Sequence, residues 1–142
     1  MFSRPSNPAQ AYSSTGISSG AMSASPHGLV LMLFDGAMLA VAAARMHMQL
    51  EQKAQKSRAI SKAIAIISDG LMASLDTAAG GEIAEKLLLL YQYMIEKLSE
   101  ANVRNQPDPL EEVGRLLAEL NDAWKSIGKT PAAQAAALAA ET

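Results

Sequence analysis

Residues 25–44, SPHGLVLMLFDGAMLAVAAA, decide how the fold is read. Ser25 is a good N-cap residue, and Pro26 suits the first helical position, where its missing N–H costs nothing. From Leu29 to Ala44 the only charged side chain is Asp35. A surface helix carries one apolar stripe and a polar remainder. This helix is apolar around much more of its circumference. The same holds for Leu87-Leu88-Leu89-Leu90, which runs straight on into Tyr91, Tyr93, Met94 and Ile95. Either both helices are central in the fold, or part of their surface is kept for another chain. In a short soluble chain a large exposed apolar surface usually marks an interaction site.

The first helix is expected to run to about Glu51. A second should start near Ser57 and reach Leu75 or Asp76, with Ile60, Ile64, Ile67, Leu71 and Leu75 as its inner face. Residues 76–81 form the turn, and Gly80-Gly81 breaks both helices. A third helix begins near Glu82, with Ile83, Leu87, Leu90, Met94, Leu98 and Ala101 as its core face. The fourth opens with Asp108 as N-cap, Pro109 at the first position and Glu111 completing a capping box. Its stripe is Leu110, Val113, Leu117, Leu120, Trp124 and Ile127, and Gly128 stops it. Short connections make neighbouring helices antiparallel. The expected fold is therefore all-α, an up-down-up-down four-helix bundle over 25–128. Flexible tails are expected at 1–24 and 129–142. The second tail is mostly Ala and marginal as a helix alone, so it is expected to be frayed or ordered only by contact.

The chain has 142 residues, no Cys and a formal net charge of −2. One domain fits that length. Without Cys there is no disulfide framework and no thiolate metal site. Lys and Arg form no basic face, and one Trp, two Phe and three Tyr offer little stacking. Nucleic-acid binding is disfavoured. The eight Met residues fill core gaps or suit an adaptable partner surface. Residues 1–24 lack the apolar region of a signal peptide. The apolar run from Leu29 reads as too short to span a bilayer, because Asp35 and Gly36 interrupt it and Arg45 and His47 close it. The expectation is a cytoplasmic protein without stable membrane insertion.

No catalytic constellation stands out. A di-iron bundle needs Glu-x-x-His pairs on facing helices, and the only histidines are His27 and His47. His27 reads as a surface residue in the first turn. Asp35 lacks a visible His or second acid, and a hydrogen bond to a neighbouring helix is the expected role. Gly80-Gly81 lacks the strand–loop–helix setting and the Lys of a phosphate loop. No cofactor, metal or catalytic residue is called for.

The order of signals resembles the flagellar secretion chaperones of the FliS family. Ser23-Ala24-Ser25-Pro26-His27 leads into Leu29 to Gly36. Ser61-Lys62-Ala63-Ile64 is followed by Ile66-Ile67 and Gly70-Leu71. Leu75-Asp76, Gly80-Gly81-Glu82-Ile83-Ala84, Leu87, Leu90-Tyr91 and Tyr93-Met94-Ile95 form the most specific stretch. Ala101-Asn102 and Asp122-Ala123-Trp124-Lys125 complete the set. The resemblance covers roughly Tyr12 to Ile127. Lys86 and Gln92 depart from the usual Asn and Asp. The resemblance implies an antiparallel bundle that binds the C-terminal segment of flagellin in apolar grooves. It also implies that binding prevents premature polymerisation and that the complex goes to the flagellar type III export gate. Such recognition combines helix-in-groove docking with folding on binding.

Spacing places a groove for that partner. Ile66 lies about 100° from Ile67 and so points away from the inner stripe. Ala59, Gly70 and Ala73 around it let another helix approach. On the third helix Leu88, Tyr91 and Ile95 extend the apolar arc. Each of Ile66 and Leu88 fits a bundle seam about as well as a groove. Tyr12, Ile17 and Met22 are isolated apolar residues in a Ser/Gly-rich stretch. The resemblance implies a groove cap there, with Tyr12 contacting the export gate. A structural or adaptor bundle forming a permanent oligomer is the alternative, and a cofactor-carrying bundle is a third.

Overall fold

The computed structural model describes residues 25–127, so Tyr12, Ile17, Met22 and both expected tails lie outside the described residues. Within them the chain forms four helices and no strand: α1 Pro26–Gln49, α2 Lys53–Ala65, α3 Thr77–Arg104 and α4 Asp108–Ile127. A π-helical segment, Ile66–Met72, continues α2. Ser25 caps α1 as read, its Oγ accepting from the Gly28 amide at 3.1 Å, and Pro26 opens the helix.

Each helix packs against its two neighbours in the order α1, α2, α3, α4 and back to α1, and the α1–α2 interface is the most extensive. The directions alternate. Trp124 at the end of α4 reaches His27 at the start of α1, and Lys56 early in α2 bonds Asn102 late in α3. The antiparallel four-helix bundle expected from the caps and stripes is the observed architecture. By length and composition α1 could cross a membrane. In the bundle it buries Val30, Leu33, Phe34, Ala37, Ala40, Val41 and Ala44. Asp35 is exposed, contrary to the expected bond across to another helix. It shares the outward face with Leu39, Ala42 and Met46, spaced four, seven and eleven residues on.

The placement of Ile66 is corrected by the structure. Ile66 and Ile67 are both fully buried, each at 0% exposure. Two physical facts account for this. The turn containing them is π-helical, with i→i+5 bonding, and its wider turns bring consecutive side chains closer in angle. Second, the face of α2 that carries Ile66 is covered by α1. Ser57 marks the α3-facing edge of α2, because its Oγ donates to Asn102 Oδ1 at 2.9 Å. Ala59, Ile66 and Gly70 lie on the opposite edge by helical spacing, which in this ring faces α1. The small residues there serve an internal contact. Ala63 on α2 and Ala37, Ala40 and Ala44 on α1 are buried with them, so the two backbones approach closely.

The start of α3 also differs from the expectation. The helix begins at Thr77, and Asp76 caps it by accepting from the Ala78 and Ala79 amides at 3.1 and 3.0 Å. Gly81 then kinks it, with φ 60° and ψ −139°, a conformation that favours glycine. Gly80 is required for a different reason. A Cβ there would lie 2.7 Å from Ala84 Cβ. Past the kink, Met94, Leu98 and Ala101 are buried as expected, joined by Ala84 and Tyr91. Ile83 is not in the core but 73% exposed, because the kink sets the first turn past it at the end of the bundle. In α4, Leu110, Val113 and Leu117 are fully buried. The Glu111 amide bonds to the Pro107 carbonyl, which starts that helix about one residue earlier than read.

Candidate functional site

The two ends of the bundle differ in chemistry. At one end α1 runs into α2 and α3 into α4. Lys56, only 4% exposed, sends its Nζ to the Asn102 carbonyl at 3.2 Å and to Asn105 Oδ1 at 3.0 Å. Asn105 has φ 53° and ends α3 in the left-handed conformation, its amide returning to the Ala101 carbonyl. The ammonium thus meets the carbonyl-rich end of a helix, where positive charge is favoured. His47 Nδ1 and Gln52 Oε1 are 2.7 Å apart. A polar crevice of about 440 Å³ opens here between His47, Glu51, Lys53 and Lys56. Its bordering polar groups are largely paired with one another.

At the opposite end lies an apolar pocket of about 210 Å³. Val30 of α1 and Leu71, Ser74 and Leu75 from the end of α2 form one wall. Ala79, Gly80, Ile83, Ala84, Leu87 and Tyr91 of α3 form the second, and Trp124 and Ile127 of α4 close it. The local sequence explains why it stays open. The non-helical backbone at Gly81 breaks α3 between its first turn, whose Ala79 and Gly80 line the pocket, and Ile83, Ala84 and Leu87 beyond it. Ser74 Oγ donates to the Gly70 carbonyl at 2.7 Å, satisfying a carbonyl where α2 terminates. Trp124 is half-buried and anchored on α1: its ring stacks on His27 at 5.3 Å between centroids, 14° from parallel. Its Nε1 donates to the His27 carbonyl at 3.3 Å. His27 is therefore a packing partner more than a free surface residue. Burial pushes the Tyr91 phenol well above its ordinary range, so the ring presents a neutral face to the pocket. Among the described residues no group of three or more acidic, His or Cys side chains could hold a metal.

Along the outer face of α3 the apolar character continues. Leu89 and Val103 are exposed. Tyr93 leans on α4, its hydroxyl donating to Glu112 Oε2 at 2.6 Å, and that bond holds its phenol above the usual range. Leu88 and Ile95 share one edge of α3 with Asn102, each seven residues apart. Asn102 there meets Ser57 of α2, so this edge faces α2. Both are half-buried.

The family model described as "Flagellar protein FliS" matches residues 8–131. The chain belongs to the FliS family. It is 48% identical over 118 residues to the flagellar secretion chaperone FliS of Salmonella typhimurium, covering 83% of this chain and 87% of that protein. With the flagellar secretion chaperone FliS of Escherichia coli it shares 43% over 122 residues, covering 86% and 90%. It is 29% identical over 119 residues to the one of Bacillus subtilis, covering 84% of each. The FliS family match runs through the whole bundle and both walls of the apolar pocket.

Against the residues singled out by spacing, the outcome is mixed. Tyr91 lines the apolar pocket. Leu88 and Ile95 stand at the α2–α3 seam. Ile66 and Gly70 are buried on the α1-facing edge, Ala59 packs against the core from the same side, and Ala73 is exposed. Sequence reasoning missed Val30, Leu71, Leu75, Leu87, Trp124 and Ile127 as pocket residues because each also belongs to a core stripe. The available signal was position: Val30, Leu71, Leu75, Trp124 and Ile127 fall near helix ends at one end of the bundle, and Leu87 lies six residues past the Gly81 kink.

Proposed function

We propose that this FliS-family protein is a cytoplasmic, non-catalytic export chaperone for flagellin. It binds the C-terminal segment of flagellin, keeps it from polymerising early, and passes it to the flagellar type III export gate. The family match over residues 8–131 carries this reading. The open apolar pocket supports it physically, since its rim leaves Ile83 exposed in water with no core role. A partner helix seated there would cover Ile83 and Leu87 and extend along the α3 edge that carries Leu88, Tyr91 and Ile95. Folding on binding places the ordering cost on flagellin, and a long apolar track offsets it. Tyr12, Ile17 and Met22 are the candidate export-gate contact or groove cap.

The test is a calorimetric titration with the flagellin C-terminal peptide against the parent and Ile83→Asp. Ile83 is exposed, so the variant should melt at the parental temperature. A desolvated carboxylate facing apolar partner atoms is costly, and binding should weaken by about tenfold or more. Equal affinity for both proteins would move the seat away from this end of the bundle. No binding by either would refute the flagellin reading itself.

One observation favours the adaptor reading. Leu39 is 72% exposed, and Met46 and Leu50 are also open to solvent on α1. A permanent oligomer would cover them. Light scattering that gives a monomer at micromolar concentration would remove that reading.

A further inference from the structure

Tyr91 is only 3% exposed and lines the apolar pocket, yet its hydroxyl has no hydrogen-bond partner among the described residues. Buried tyrosine hydroxyls usually find one. The other two polar side chains of the lining are engaged. Ser74 Oγ donates to the Gly70 carbonyl, and Trp124 Nε1 donates to the His27 carbonyl. Tyr93, two residues on, is also satisfied, its hydroxyl donating to Glu112 Oε2. Nor is the Tyr91 oxygen sealed inside the core. Among the described residues, the fully enclosed side-chain polar atoms without a partner are His27 Nδ1 and Asn121 Oδ1. The Tyr91 hydroxyl therefore opens into the space that its side chain lines.

We propose that this hydroxyl is the one polar recognition group of the pocket, and that it donates a hydrogen bond to an uncharged oxygen on the segment seated there. The proposal rests on the flagellin reading for the identity of that segment. Burial holds the phenol above its ordinary range, so the group stays protonated and acts as a donor. No Lys, Arg or His lines the pocket, so a carboxylate entering it would be desolvated without a counter-charge. A purely aliphatic occupant would strip water from the hydroxyl and leave it unpaired, which costs the full desolvation of that group. The occupant that meets both conditions is apolar in bulk and carries one neutral acceptor. That oxygen belongs either to an Asn, Gln, Ser or Thr side chain or to an unpaired carbonyl in the last turn of a partner helix. The pocket thus discriminates among apolar segments, which non-directional contact alone does poorly.

The experiment removes the hydroxyl and keeps the ring. Tyr91→Phe should keep or raise the parental Tm at neutral pH, because no protein bond is lost. The flagellin C-terminal peptide should nevertheless bind it about three- to tenfold more weakly. Tyr93→Phe, outside the pocket, should bind as the parent does. Replacing each neutral polar side chain of the peptide in turn by Ala identifies the acceptor. One replacement that abolishes the difference between parent and Tyr91→Phe assigns it to that side chain, and none assigns it to the backbone. Peptide affinity unchanged in Tyr91→Phe would overturn the proposal.

A second arm needs no flagellin. An apolar cavity of about 150 Å³ admits benzene, so this pocket of about 210 Å³ admits small aromatic probes. Acetophenone and its isostere α-methylstyrene, in which CH2 replaces the carbonyl oxygen, are titrated by NMR into both proteins. Tyr91→Phe should weaken acetophenone about threefold or more and leave α-methylstyrene unchanged. Equal effects on the two probes, or no binding of either, would overturn the proposal. Selective loss of acetophenone with no peptide binding to either protein keeps the hydroxyl as the recognition group and removes the flagellin reading.

Discussion

Where α1 meets α2 and α3 meets α4, the bundle is closed by polar chemistry. Lys56, Ser57, Asn102 and Asn105 bond across the helices. At the other end, where the chain turns from α2 into α3, no comparable network is formed among the described residues. A π-helical turn, a double glycine and a half-buried Trp leave an apolar pocket instead. The same four helices thus end in two ways. Hydrogen bonds demand fixed partners and geometry, so the polar end is self-contained. Apolar contact is non-directional, so the other end is left able to accept a further side chain. The difference separates an end built for stability from one suited to exchange.

The largest effect should come from a charge in the π-helical turn that leads to the apolar end. Ile66→Asp places a carboxylate at a fully buried site. It should destabilise by well over about 4 kcal/mol and leave the chain largely unfolded in circular dichroism melts. A folded Ile66→Asp with near-parental Tm would mean that this face of α2 is open after all, and the assignment of the α1–α2 seam would fail.

Next comes Trp124→Ala at the apolar end. Full burial would cost about 3–5 kcal/mol. Trp124 is half-buried, stacked on His27 and bonded once to its carbonyl, so urea titration should give about 2–3 kcal/mol. Loss above that range would show that the pocket is more closed than its geometry indicates.

At the polar end, Lys56→Met keeps the stem packing and removes the donor. The Asn102 carbonyl and Asn105 Oδ1 each lose a bond to the ammonium, at a cost of about 2 kcal/mol. A neutral or stabilising result would show that desolvating the ammonium cancels its bonds. The contrast between the two ends would then rest on geometry rather than on energy.

The smallest effect is at alkaline pH. The phenol of Tyr91 titrates higher in the folded chain than in the unfolded one because burial disfavours its anion. Above about pH 10 the unfolded chain loses that proton while the folded chain keeps it. Stability therefore falls as pH rises from there, by about 1 kcal/mol at pH 11. Tyr91→Phe should remove this component. Parent and variant with parallel stability curves between pH 9 and 11 would place the hydroxyl in water.

Much of the fold was legible from local chemistry. Ser25 and Pro26 mark the start of α1, and the stripe of α2, that of α4 as far as Trp124 and the lower half of α3 are where periodicity puts them, whereas Ile127 is exposed. Each of these signals depends only on residues within a turn or two of one another. The candidate site was less legible. Ile83 fits the periodic core stripe but lies beyond a kink, and Ile66 fits an outward position but sits in a wider turn. Asp35 looked like a cross-helix partner and faces water.

The sequence by itself determined four capped amphipathic helices, their antiparallel order and the surplus of apolar surface, because caps, glycine breaks and helical spacing are local properties. Only the tertiary structure decided which surplus was internal. Ring order sets the small-residue face of α2 against α1, and the shared end of the helices gathers Val30, Leu71, Tyr91, Trp124 and Ile127 around one pocket. Those residues lie far apart along the chain, and no single helix's pattern encodes the neighbour that will cover it.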